Sequence, residues 1–130
     1  MKTLIADDDF MNRTLLKEIL ESYGRCDVAV NGKEALEAFK MAWDEGKPYD
    51  LICMDIMMPK MDGQKAVKEI RKFEEEKGTA RYGGTKIIMT TALGDPQNIV
   101  NAFRSSIDAY LIKPFDIEKF IGELRALKLI

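Results

Sequence analysis

Leu51-Ile52-Cys53-Met54-Asp55-Ile56-Met57-Met58-Pro59-Lys60-Met61-Asp62-Gly63-Gln64-Lys65-Ala66-Val67-Lys68-Glu69-Ile70 is the stretch on which the fold turns. Its first four residues are an unbroken apolar run that stops at Asp55. A strand covered on both faces reads this way, because neither face can carry polar side chains. Asp62-Gly63 then opens a helix whose inner face is Ala66, Val67, Ile70 and Phe73 at helical spacing. A short buried strand, a loop and an amphipathic helix form the repeating half of a parallel crossover.

The same unit recurs to either side. Thr3-Leu4-Ile5-Ala6 is apolar and stops at Asp7-Asp8-Asp9, and residues 12–23 carry Leu15, Leu16, Ile19, Leu20 and Tyr23 at helical spacing, closed by Gly24. Residues 26–30 form a second strand. Asn31-Gly32 turns into a helix with Ala35, Leu36, Phe39 and Ala42 on one face, and Gly46-Lys47-Pro48 breaks it. Beyond the central unit, residues 74–85 are charged and then glycine-rich, which reads as a solvated helix end (Glu74, Glu75, Glu76) and a loop. A strand over 86–89 ends at Thr90-Thr91. A helix follows from about Pro96 to Arg104, then a strand over 109–112 ending at Lys113-Pro114, and a helix over 117–127. Five strands alternating with five helices predict an α/β fold, a doubly wound five-stranded parallel sheet in one domain spanning 1–130.

Composition narrows the function. The chain is 46% hydrophobic and 32% charged with a formal net charge of −2, which disfavours direct binding to a nucleic-acid backbone. No apolar run approaches the roughly 18 residues of a membrane span, and no secretory signal opens the chain. Cys26 and Cys53 sit in apolar runs and read as buried, reduced thiols of a cytoplasmic protein. The chain has no histidine, so histidine-based acid–base catalysis and histidine metal sites are excluded.

In an open parallel sheet, ligands bind beyond the carboxyl ends of the strands. Asp7, Asp8 and Asp9 follow the first strand, Asp55 the third, Thr90 and Thr91 the fourth, and Lys113 the fifth. Several carboxylates at one edge either raise their pKa values or take a cation, and oxygen-only donors favour a hard ion such as Mg2+. Thr91 and Lys113 supply a hydroxyl and an ammonium for phosphoryl oxygens, and a carboxylate is a competent nucleophile for phosphoryl transfer. Asp9 reads first as a helix cap, Thr90 as a local packing residue, and Met57, Met58 and Met61 as loop packing.

Leu4-Ile5-Ala6-Asp7-Asp8-Asp9, Met54-Asp55-Ile56-Met57-Met58-Pro59-Lys60-Met61-Asp62-Gly63, Thr91-Ala92 and Lys113-Pro114-Phe115 together resemble the receiver domains of two-component response regulators, over essentially the whole chain. The resemblance implies a flavodoxin-like sheet in the order 2-1-3-4-5 and a phosphoacceptor, Asp55, charged by a sensor histidine kinase or a histidine phosphotransfer protein. It implies Mg2+ held by Asp7, Asp8, Asp55 and the backbone carbonyl of Met57. Thr91 and Ala92 then hold the phosphoryl group, Thr91 and Tyr110 act as a switch pair, Lys113 pairs with the phosphoryl group, and the bond to Pro114 is cis. A signalling phosphoacceptor rather than an enzyme is implied, standing alone and acting on an unidentified output protein, as a monomer or a phosphorylation-dependent dimer. Asn98, Asn101, Phe103, Tyr110, Phe115 and Lys119 are the implied contact residues. Apolar Met57 and Leu93 stand at two positions that tune hydrolysis in the family, and they imply slow loss of the phosphoryl group.

The competing enzyme reading is a haloacid-dehalogenase-type phosphatase. Its nucleophile needs a second acid two residues later: Asp55 is followed there by Met57, whereas Asp7 and Asp9 satisfy the spacing. A flavin-binding reading fails on charge, since the first strand ends in three aspartates rather than a phosphate-cradling loop.

Overall fold

The computed structural model describes residues 1–78, 84–92 and 106–130. Its elements are β1 (Thr3–Ala6), α1 (Phe10–Leu20) with a closing 3-10 turn (Glu21–Tyr23), β2 (Cys26–Ala29), α2 (Gly32–Asp44), β3 (Leu51–Asp55), α3 (Gly63–Lys77), β4 (Lys86–Ala92), β5 (Ala109–Lys113) and α4 (Ile117–Ala126). The strands form one parallel sheet in the order β2-β1-β3-β4-β5. The doubly wound α/β fold with that strand order is therefore as expected. The expected helix from Pro96 to Arg104 lies outside the described residues.

Alternation along the strands builds two cores. Leu4, Ala6, Ile52, Met54, Ile87 and Met89 point to the side packed by Phe39 and Trp43 of α2 and by Val67 and Ile70 of α3. Ile5, Leu51, Cys53, Ile88 and Leu111 point to the other side, against Leu16 and Leu20 of α1 and Phe120 and Leu124 of α4. Each fully buried Leu, Ile or Phe contributes about 1.5–3 kcal/mol. Phe39, Trp43 and Phe73 lock α2 to α3, with Phe73 5.7 Å and edge-on from each of the other two.

All four described helices start at an Asp or Asn cap just past a strand or loop. Asp9 accepts from the Met11 N–H (2.8 Å), Asn31 from Glu34 (2.8 Å), Asp62 from Lys65 (2.9 Å) and Asp116 from Lys119 (3.2 Å). Each such cap is worth ~1 kcal/mol, and together they set where the chain leaves the sheet edge. The cap at Asp9 starts α1 two residues earlier than the apolar spacing indicates.

Three expectations are corrected. Glu74 is not on a solvated face: it is 1% exposed. Its carboxylate pairs with Arg71 (2.6 Å) and accepts from the Thr85 N–H (2.8 Å), while Arg71 also donates to the carbonyls of Thr85 and Ser106. Cys26 is only half-buried, because β2 is an edge strand, whereas Cys53 on central β3 is buried. Two-sided burial likewise fails at both edges, where Val28 and Ile112 are exposed.

Candidate functional site

Period-two alternation carries straight into the acidic edge. Asp7 lies two residues past Ile5, Asp55 two past Cys53 and Lys113 two past Leu111, all three of those apolar residues belonging to the α1/α4 core. The parallel register sets the strand ends side by side, with Ala6 against Met54 and Asp55 against Thr90. The three charged side chains thus emerge on one face at the same edge of the sheet, Asp7 and Asp55 from neighbouring strands and Lys113 from β5, across β4 from Asp55. Lys113 Nζ bridges Asp7 Oδ2 (3.1 Å) and Asp55 Oδ2 (3.2 Å). Asp7 and Asp55 are buried, while Asp8 is exposed.

Burial, and then the neighbouring charge of Asp7, push the Asp55 carboxyl up to about 6; Lys113 and the Met57 N–H pull the other way. Burial alone would depress Lys113, but the two carboxylates outweigh it and hold the ammonium above its ordinary value. One carboxylate oxygen from each of Asp7, Asp8 and Asp55 can be chosen so that all lie within 4.8 Å of one another. A donor set of oxygens alone, with an electrostatic penalty on the apo carboxylates, fits a hard divalent cation.

Asp9 turns away from this cluster. Its Oδ1 caps α1 and its own N–H donates to Asp7 Oδ1 (2.9 Å), so it orients Asp7. Thr90 is level with Asp55 and buried, and its hydroxyl finds no hydrogen-bond partner among the described residues. Thr91 is also buried and lies on the opposite face, the one Tyr110 shares through its pairing with Met89. Tyr110 is half-buried against the α2/α3 core, and Ala92 is exposed at the end of β4 beside Lys113. The Lys113–Pro114 peptide bond is cis. The methionines divide: Met58 packs into the core and Met61 against it, whereas the Met57 side chain is 63% exposed. Leu93, Asn98, Asn101 and Phe103 lie outside the described residues.

Two groups near the site carry no sequence motif that announces them. Arg13 donates from Nη1 to the Asp7 carbonyl (2.9 Å), and Gly32 donates to the Met61 carbonyl (2.8 Å) in the loop after Asp55. The sole hint of Arg13 was its place one turn into a helix that begins beside the acids.

Comparison with known proteins closes the assignment. Residues 3–125 match the family described as response regulator receiver domain. The chain is 39% identical over 115 residues to the chemotaxis protein CheY of Halobacterium salinarum, covering 88% of this chain and 85% of that one. It is 34% identical over 125 residues to CheY of Thermotoga maritima, covering 95% and 93%. Among solved structures, the CheX-CheY-BeF3-Mg+2 complex of Borrelia burgdorferi superposes with a TM-score of 0.80 at 27% identity, covering 98% of this chain and 89% of that one. Nothing in these likenesses supports a phosphatase built on Asp7 and Asp9. The chain belongs to the response regulator receiver domain family, the receiving side of two-component signalling.

Proposed function

We propose that Asp55 accepts a phosphoryl group from a phosphohistidine on a sensor histidine kinase or a histidine phosphotransfer protein. The observation that carries this reading is the placement of Asp55: a buried carboxylate, paired with Lys113, clustered with Asp7 and Asp8 at a strand end. An Asp55 carboxylate oxygen attacks phosphorus, the P–N bond breaks, and its electron pair leaves with the imidazole, which takes a proton. Asp7, Asp8 and Asp55, with the Met57 carbonyl, would hold Mg2+, which when bound offsets negative charge on the phosphoryl oxygens. Lys113 shifts from its carboxylate partners to a phosphoryl oxygen, and the Thr91 hydroxyl and Ala92 backbone take the others.

The added group brings about one further unit of negative charge and strong acceptors to the edge. Thr91 moves toward it and Tyr110 turns inward on the same face of the sheet. The surface around β5 and α4, including Tyr110, Phe115 and Lys119, then offers an output protein a different shape in each state. Met57, apolar and exposed beside Asp55, offers an attacking water no hydrogen bond, which favours slow loss of the phosphoryl group. The protein is read as a cytoplasmic signalling phosphoacceptor, one receiver unit over 1–130, whose own chemistry is confined to gaining and losing that group. This chemistry needs no nucleic acid or membrane.

Intact-protein mass spectrometry after incubation with acetyl phosphate tests it. We expect a gain of one phosphoryl group that requires Mg2+ and vanishes in Asp55→Ala. A gain that persists in Asp55→Ala would make Asp7 the next candidate and overturn the assignment.

A further inference from the structure

We propose that Gly32, which offers the cation no ligand, is a positioning residue for the Met57 carbonyl in that site. This inference rests on the acceptor-site reading above and adds a residue from a separate element to it. Gly32 is the first residue of α2, and first-turn N–H groups have no acceptor within their own helix. Its N–H instead donates across to the Met61 carbonyl (2.8 Å), in the loop between β3 and α3. Asn31, itself buried, caps α2 by accepting from the Glu34 N–H, so the donor is held by a locked helix start.

The contact leaves no space for a side chain. A Cβ on Gly32 would collide with the Met61 carbonyl oxygen, and would lie 2.8 Å from its carbon and 3.0 Å from the Asp62 carbonyl oxygen. Gly63 closes the other end of the loop in the same way. Its N–H donates to the Ile56 carbonyl (2.8 Å), and its Cβ would collide with the Asp55 carbonyl oxygen and sit 2.9 Å from the carbonyl carbon. Every group in both contacts is backbone, so no flexible side chain can give way. Ile56 is tied in turn to Thr90 (3.1 Å) and Met61 to Pro59 (2.7 Å), with Lys60 in the left-handed region at φ 65°. A shift at Met61 therefore reaches Met57 through a short, cross-bonded loop. The carboxylates of Asp7 and Asp8 leave from β1 and do not depend on it. Displacing the loop weakens the carbonyl ligand and leaves the Asp7 and Asp8 carboxylates in place, while Asp55 is held by its own pairing in β3 ahead of the loop.

Calorimetric titration with Mg2+ compares wild type, Gly32→Ala and Gly122→Ala, the last a helical position where an added Cβ meets nothing. We expect about tenfold weaker binding in Gly32→Ala, the size typical of losing support behind a ligand, and unchanged binding in Gly122→Ala. A merely structural role lowers the melting temperature without moving the affinity of the folded protein. Equal affinity in a folded Gly32→Ala overturns the proposal. Wild type that takes up no Mg2+ overturns the acceptor-site reading and this inference with it. Should Gly32→Ala fail to fold, amide exchange in wild type decides. Mg2+ must slow the Gly32 N–H more than the Lys86 N–H, which donates to Asp50 at the opposite end of the sheet; equal slowing overturns the proposal.

Discussion

Asp55 is buried against Asp7, and Lys113 offsets only part of the resulting penalty, so its carboxyl is pushed up to about 6 from an ordinary 3.8. Below the ordinary value both folded and unfolded chains hold the proton, and the pair costs nothing. As pH rises from 3.8 toward 6, the unfolded chain releases its proton first. The folded state then binds more protons, and stability falls across that window. Asp55→Asn removes the penalty while keeping the shape. In EDTA, urea unfolding at pH 7 should show Asp55→Asn more stable than wild type, with the difference vanishing by about pH 4. Equal stability at pH 7 would show that Lys113 fully neutralises the site. The residues concerned were legible in the sequence, since each ends an apolar run. Their pairing was not, because the 3.1 and 3.2 Å bridges depend on strand order and register.

Among elements, α3 carries the clearest lesson. Val67, Ile70 and Glu74 share one helical face, but in the sequence the apolar inner face ends at Phe73 and Glu74 reads with Glu75 and Glu76 as solvated. Glu74 tolerates burial because Arg71 and the Thr85 N–H satisfy both its oxygens. Arg71 in turn reaches Ser106 and Asp108, so one carboxylate joins the end of α3 to the entries of β4 and β5. Glu74→Ala leaves the buried Thr85 N–H without its acceptor and takes one of several partners from Arg71, which keeps Asp108 and two carbonyls, and should cost about 1–3 kcal/mol in denaturant unfolding. Glu75→Ala, on the exposed side, should stay within about 0.5 kcal/mol. A small loss in Glu74→Ala would mean that water replaces the carboxylate at little cost.

At the scale of the whole molecule, a ligand that binds only the folded state stabilises all of it. If Asp7, Asp8 and Asp55 hold Mg2+, the melting temperature should rise with Mg2+ concentration and fall on chelation. The stabilisation amounts to about 2.7 kcal/mol when the free ion is at 100 times its dissociation constant. Asp8 is exposed, so Asp8→Ala should melt like wild type in EDTA yet lose the response to Mg2+. A melting temperature indifferent to Mg2+ in wild type would remove the cation from the site. No helix among the described residues is long and apolar enough to cross a membrane, in keeping with the absence of long apolar runs.

Apolar runs that stop at Asp7, Asp55, Thr90 and Lys113 sufficed to read an α/β sheet with its chemistry at one edge, because strand burial and helix periodicity are local patterns. The cap at Asp9 and the helix openings at Asn31 and Asp62 were local for the same reason. Non-local register brought Lys113 between Asp7 and Asp55, and packing turned Glu74 inward and left no room for a side chain at Gly32. Those outcomes belong to the folded chain, since each depends on contacts between residues far apart in sequence, whose cost or gain is undefined until the elements meet.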